Sequence, residues 1–206
     1  MKVVIINGSP RVNGNSARLL EEAANIFAAE GIETVRFDIG ANIVRGCVAC
    51  GACNKLGKCV FDDIVNDVAE VLRDADGLMV ASPVYYASAN GTLVSLLDRL
   101  FRSASYDLRM KVGAAFAVAR RAGTVATFDE LNKYFTINQM PVASGRYWNN
   151  GFGGAQGEIA QDEEGLQNAR IVARNMVFLM KSIALGKETF GLPAAEDGVK
   201  RTSFIR

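Results

Sequence analysis

All four cysteines of the 206-residue chain, Cys47, Cys50, Cys53 and Cys59, fall within one short segment, and there is no histidine. Those two facts bound the chemistry. Without histidine, Ser-His and Cys-His nucleophilic catalysis are excluded, and the commonest general base and neutral metal ligand are missing. No residue is singled out as a catalytic acid or base, so reactivity must come from carboxylates, thiolates, tyrosine, lysine or, most simply, a cofactor. Such clustered thiols point to metal or redox work rather than structural disulfides in a reducing compartment. Structural zinc sites usually use two Cys-x-x-Cys pairs set well apart. Three closely spaced thiolates with a fourth nearby suit a cubane iron–sulfur cluster. Spacing alone leaves three readings open: a [4Fe–4S] cluster, redox-active or disulfide-forming thiols, and zinc.

A second chemical stretch is Asn7-Gly8-Ser9-Pro10-Arg11-Val12-Asn13-Gly14-Asn15-Ser16. Before it, Val3-Val4-Ile5-Ile6 reads as a buried parallel strand; after it, apolar residues recur at helical spacing from Ala17 to Ala24. A strand-to-helix turn leaves the first backbone N–H groups of the helix unpaired and pointing outward, where the helix dipole adds partial positive charge. Arg11 adds a full charge, and Ser9, Asn13, Asn15 and Ser16 add side-chain donors. That is an anion pocket, with phosphate as the expected guest. No lysine lies in the turn, which excludes a Walker loop, and Ser9-Pro10 after Gly8 excludes the dinucleotide fingerprint. An ordinary helix cap by Asn15 or Ser16 is the plainer alternative. It explains neither the length of the loop nor its density of donors.

A third stretch, Ser82-Pro83-Val84-Tyr85-Tyr86-Ala87-Ser88-Ala89-Asn90-Gly91, combines a stiff turn, two aromatics and small polar residues. A flat heterocycle fits against such a loop, with Tyr85 or Tyr86 beside the ring and backbone N–H groups at its polar edge. The alternative is that the tyrosines only anchor the loop to the core. Beside a phosphate turn on a neighbouring strand, the ligand reading is preferred. Phosphate at one end and a planar ring at the other describe flavin mononucleotide (FMN). Nothing resembles an adenosine site with its acidic ribose ligand, so FMN is expected rather than FAD.

The elements that must position these stretches alternate. Strands are expected at 3–6, 33–38, 77–81, 111–118 and 141–144, the third stopping at Ser82-Pro83 because proline lacks the ladder N–H. Helices are expected at about 15–30, about 62–73, around Leu93, Leu96, Leu97 and Leu100, at about 127–139, and from Gln161 onward with Leu166, Ile171, Val177, Phe178 and Ile183 on the apolar face. A cysteine-rich insertion at 46–60 shows no period. The tail after Gly191 is unassigned. Five strands alternating with five helices give a doubly wound parallel sheet with helices on both faces, as a single domain over 1–206. Ligands of such sheets bind outside the carboxyl ends of the strands, where the loops 7–16, 82–90 and 119–123 should converge.

Half the residues are hydrophobic, 22% are charged and the net charge is +1, so the chain is globular, and no basic block suggests nucleic acid or an anionic membrane as a partner. Asn7-Gly8-Ser9-Pro10 interrupts the first apolar run too early for a signal peptide, and no later segment is long enough to span a bilayer. A cytoplasmic protein is expected.

The pattern Gly-Ser-Pro-Arg-x-x-Gly-Asn-Ser at residues 8–16, the Ser82-Pro83-Val84-Tyr85 loop and Asp98-Arg99 resemble the NAD(P)H-dependent FMN reductase family of flavodoxin-like proteins. Cys47-x-x-Cys50-Gly51-Ala52-Cys53, with Cys59-Val60-Phe61-Asp62-Asp63, is similar to its iron–sulfur flavoprotein branch. The resemblance covers nearly the whole chain up to the last helix. It implies a flavodoxin-like strand order 2-1-3-4-5, tightly bound FMN, and reduction of a quinone, nitro, azo or free-flavin acceptor with NAD(P)H as co-substrate. By carry-over, Ser9, Arg11, Asn13, Asn15 and Ser16 hold the phosphate, and Pro83, Val84, Tyr85 and Tyr86 flank the ring. Gly123 would add a contact from the loop Ala119–Gly123, which departs from the family's more glycine-rich pattern. Cys47, Cys50, Cys53 and Cys59 become the implied ligands of a [4Fe–4S] cluster. An alternative within the same resemblance is an electron carrier exchanging single electrons between FMN, the cluster and a ferredoxin-type protein. A third is a zinc-bound interaction module with a vestigial flavin site. The family association implies a homodimer or homotetramer.

Overall fold

The structure is a computed structural model describing residues 1–40, 42–198, 200 and 202–203. In chain order the elements are β1 (Lys2–Asn7), α1 (Asn15–Ala29), β2 (Glu33–Asp38), α2 (Cys53–Leu56), α3 (Ile64–Arg73), β3 (Gly77–Tyr85), β4 (Ser88–Ala89), α4 (Gly91–Ser103), β5 (Val112–Ala119), α5 (Thr124–Ile137), β6 (Asn150–Phe152) and α6 (Glu163–Phe190). A single 3-10 turn, Glu158–Gln161, precedes α6.

Five strands make a parallel sheet in the order β2-β1-β3-β5-β6, while β4 pairs antiparallel with β3 alone. Counting only the parallel strands, this is the expected flavodoxin-like 2-1-3-4-5 order, with its switch point between β1 and β3. The physical basis is plain in the central strands. β1 and β5 are almost wholly apolar, and alternate residues feed opposite layers, as the two-residue period of a strand requires. Val3, Ile5, Met79, Ala114 and Phe116 pack under α1 and α6; Val4, Ile6, Leu78, Val80 and Ala115 pack under α3, α4 and α5. Leu93, Leu96, Leu97 and Leu100 of α4 are all fully buried, as their spacing predicts.

Four expectations need correcting. First, β3 does not stop at Ser82-Pro83 but continues to Tyr85. β1 accompanies it only as far as Ala81, whereas β5 pairs with it through Pro83. Beyond Ala81 the strand is therefore an edge, where proline is tolerated. Second, the fifth parallel strand is Asn150–Phe152 rather than Pro141–Ser144, which contributes only an isolated bridge between Val142 and Gly113. The edge pairing is interrupted because buried Asn168 of α6 draws the intervening backbone away: its Oδ1 accepts from Arg146 N at 2.9 Å, and its Nδ2 donates to Asn149 Oδ1 at 3.2 Å. Third, α5 begins at Thr124 rather than near Thr127, directly after Gly123. Fourth, Phe178 is 71% exposed; the buried stripe of α6 runs instead through Leu166, Ala169, Val172, Ala173, Met176, Val177 and Met180. Among the described residues no helix is long and apolar enough to cross a membrane.

Candidate functional site

The turn between β1 and α1 is fixed from beneath. Asn7 is fully buried; its Nδ2 donates to Asp38 Oδ1 at 2.7 Å, and its Oδ1 accepts from Ser9 N at 3.2 Å. Gly8 N donates to Ala81 O at 2.8 Å, and a Cβ here would sit 2.7 Å from Leu93 Cδ2 and 2.9 Å from Ala81 O. Only glycine lets the turn approach β3 this closely. Ser9 Oγ accepts from Arg11 N at 3.1 Å, and Gly14 N closes the turn onto Arg11 O at 3.0 Å. The N-cap of α1 is Gly14, which makes no side-chain cap, and the first helical turn carries no acidic residue. Neither Asn15 nor Ser16 caps this helix. The start of the helix borders a cavity of about 230 Å³ lined by Ser9, Arg11, Gly14, Asn15, Ser16, Pro83, Val84, Tyr85, Val118, Ala119, Arg120, Gly153 and Gly154.

Seven of the ten sequence-derived cofactor residues therefore meet in one cavity. Asn15 lines it but commits its side chain elsewhere: Nδ2 donates to Gly153 O and Ala155 O, both at 2.9 Å, and Oδ1 accepts from Gly157 N at 2.9 Å. It clamps the loop after β6 over the start of α1. Asn13, Tyr86 and Gly123 lie outside the lining. Asn13 is exposed, and its carbonyl accepts from Gln156 Nε2 at 3.1 Å.

Tyr86 stands fully exposed at the tip of the two-residue hairpin that joins β3 to β4. Tyr86 and Ala87 both have positive φ, +51° and +60°, a pattern usually given to Asn-Gly. Such strain persists only where the surroundings hold it. Here Glu130 of α5 holds it, its Oε2 accepting from Ser88 Oγ and from Ala89 N, each at 2.8 Å. Gly123, at φ +89°, lies under the hairpin, where a Cβ would sit 2.9 Å from Val84 Cγ1 and 3.0 Å from Ala87 Cα. Arg120 lies in the 119–123 loop expected to converge here, although the sequence singles out Gly123 there instead, and sequence reasoning missed Gly153 and Gly154 as lining residues. The Gly153-Gly154 pair after a short strand was the available signal, but the misplaced fifth strand hid it.

The cysteine segment folds against α4. Cys47, Cys50, Cys53 and Cys59 border one cavity of about 30 Å³, shared with Phe61, Arg99, Arg102 and Ser103. Cys47 and Cys50 are exposed, Cys53 and Cys59 half-buried, and none of the four is paired in a disulfide. Asn66 of α3 fastens the last of them: its Oδ1 accepts from Cys59 N and its Nδ2 donates to Cys59 O, each at 3.1 Å. Arg99, 1% exposed, donates through Nε and Nη2 to Cys59 Sγ at 3.3 and 3.2 Å and pairs with Asp63 at 2.7 Å. Burial disfavours its charge, but Asp63 and Cys59 together hold its pKa above the ordinary arginine value. Among the described residues, no three metal-ligating side chains stand ready around a single ion. The donor set itself, four thiols on one cavity with a cation behind, suits a thiolate-held group of several atoms. α4 borders the cysteine cavity through Arg99, Arg102 and Ser103, and no residue of α4 is among those that line the first cavity.

A family model described as NADPH-dependent FMN reductase matches residues 1–155. An iron–sulfur flavoprotein of Methanocaldococcus jannaschii is 35% identical over 191 residues, spanning 89% of this chain and 99% of that protein. Among solved structures, RosB with a bound 8-demethyl-8-formylriboflavin-5'-phosphate intermediate is similar with a TM-score of 0.68 at 16% identity, over 99% of this chain and 94% of its own. A flavodoxin from the domain Archaea gives 0.57 at 14% identity, over 86% of this chain and 99% of its own. At such identities these two structures bear on the fold alone.

Proposed function

The chain belongs to the NADPH-dependent FMN reductase family, and from that premise we propose that it is an FMN-dependent oxidoreductase that takes electrons from NAD(P)H and reduces a quinone, nitro, azo or free-flavin acceptor. The observation that carries the proposal is the N-terminus of α1, without a side-chain cap, lining the same cavity as Arg11, Arg120 and the Pro83–Tyr85 wall. Bound there, FMN would supply hydride acceptance and electron transfer. The protein's share is positioning. The first-turn N–H groups and Ser9 bind the phosphate, and Arg11 and Arg120 balance its charge. Pro83, Val84 and Tyr85 give a planar ring an apolar wall. Asn13 and Tyr86 stand outside the lining, available to a bound ligand's exposed edge, and Gly123 supports the hairpin from below. No side-chain acid or base is required for hydride transfer between nicotinamide and flavin, in keeping with a chain without histidine.

The gathering of four thiols on one cavity favours a second reading, in which Cys47, Cys50, Cys53 and Cys59 hold a [4Fe–4S] cluster and the protein carries single electrons between FMN and a ferredoxin-type partner. Anaerobic addition of NADPH or NADH to the FMN-loaded protein, followed by flavin absorbance, separates the two. Rapid bleaching is expected of a reductase. Bleaching by a reduced ferredoxin alone would establish the carrier reading instead.

A further inference from the structure

Arg99 is the largest fully buried side chain among the described residues. A guanidinium out of water costs several kcal/mol unless its charge and donors are matched. The neighbouring Leu96, Leu97 and Leu100 of α4 fill the apolar core, so burial at this position does not by itself call for an arginine. Asp63 takes one edge of the fork in a bidentate pair, Nη1 and Nη2 reaching its Oδ2 and Oδ1 at 2.7 and 3.0 Å, and the opposite edge, Nε and Nη2, is given to Cys59 Sγ. Nη2 also donates to Phe61 O at 3.3 Å and Nη1 to Arg45 O at 3.4 Å. Sulfur is a weak acceptor as a thiol and a strong one as a thiolate. Two donors from a buried cation on one sulfur therefore suit a sulfur that carries charge. None of the other three thiols has such a partner among the described residues; Cys53 Sγ only approaches Arg102 O, at 3.7 Å. The Phe61 ring, with the Arg45 and Arg99 guanidiniums 4.3 and 5.2 Å from its centroid, covers this side of the cavity.

We infer that Arg99 is the positioning residue of the cysteine site: its two hydrogen bonds orient the Cys59 sulfur and, by its buried positive charge, it favours the more negative, reduced state of a cluster bound there. The inference rests on the cluster reading above and adds to it a direction. Reduction adds one electron to a site already rich in thiolate charge, and hydrogen bonds to sulfur and net charge are the means by which a protein sets such potentials. Asp63 opposes Arg99 by neutralising part of its charge, so the two residues act with opposite sign.

The test is a mediator-coupled redox titration of anaerobically prepared holoprotein, followed by electron paramagnetic resonance, with iron measured on every sample. In each step one electron passes from reduced mediator dye to cluster; the dye is oxidised by one electron, and no bond forms or breaks. Arg99→Gln should lower the equilibrium constant for reduction about tenfold, a shift of about 59 mV to more negative potential. Arg99→Lys, which keeps the charge but not the fork, should shift less. Asp63→Asn should shift the potential the other way, and because asparagine caps helices as well as aspartate does, it preserves the bond from Val65 N that starts α3. If Arg99→Gln does not fold, the sign of the Asp63→Asn shift decides. Iron-loaded variants with unmoved potentials, or with both shifted in the same direction, overturn the inference while leaving the cluster reading intact. Iron-free wild-type protein from iron-replete anaerobic cells overturns both.

Discussion

At the scale of single residues, the site separates groups that meet a ligand from groups that hold the turn. Arg11 is exposed, lines the cavity, and makes no ion pair among the described residues, so its charge is available to an anion. Arg11→Ala should weaken FMN binding roughly ten- to a hundredfold, the loss of one charge-assisted contact of about 1.5–3 kcal/mol, with thermal stability unchanged. Flavin fluorescence titration measures it, and equal affinity in the two proteins would place Arg11 outside the phosphate contact. Asn15 shows what residue types alone do not reveal. Its position in a donor-rich turn was legible, but the direction of its amide was not, because Gly153, Ala155 and Gly157 come to it from about 140 residues away. The same holds for Arg120 and the Gly153-Gly154 pair, which reach the cavity through sheet order rather than sequence proximity.

At the scale of elements, the β3–β4 hairpin is the part most dependent on its neighbours. Its turn holds two non-glycine residues at positive φ, and Glu130 supplies the hydrogen bonds that keep it closed. Glu130→Ala should cost about 1–3 kcal/mol by leaving the Ala89 N–H buried without its acceptor, and should loosen Tyr85 against the flavin ring. Denaturant unfolding together with flavin affinity would show both losses; a drop in stability with affinity untouched would detach the hairpin from the ring. The strand-turn-helix pattern around residues 3–24 and the leucines of α4 were legible because burial follows their periodicity closely. The fifth strand was misplaced because its position depends on Asn168, a buried polar residue on a helix that follows it. Phe178 misled for the opposite reason: an aromatic at roughly helical spacing was assigned to a stripe that smaller residues, Ala169, Ala173 and Met176, already fill.

At the scale of the whole molecule, α1 and α6 close one face of the sheet, and Glu22 ties them together, accepting from Arg170 at 2.6 Å and Arg18 at 2.5 Å. Burial pushes the Glu22 carboxyl up, but the two arginines outweigh it and leave the group below the usual carboxylate value. A carboxylate depressed by folding stabilises the protein above its unfolded pKa, and that contribution disappears as pH falls through the folded value. With the arginine side chains 37% and 36% exposed, solvent screens the pair, and Glu22→Gln should cost only about 1 kcal/mol at neutral pH. The difference from wild type should shrink as pH falls below about 4; a difference constant across that range would remove the ionic contribution. The central proposal is FMN in the cavity at the start of α1, with the four-cysteine cavity as the candidate site of a second cofactor. Its most direct measurement is analysis of one sample, purified anaerobically from iron-replete cells, for released flavin by mass spectrometry and for iron and acid-labile sulfide. FMN in stoichiometric amount is expected on either reading, and iron and sulfide at about four each per chain on the cluster reading. FAD alone, or flavin-free and iron-free protein from such cells, would contradict the proposal.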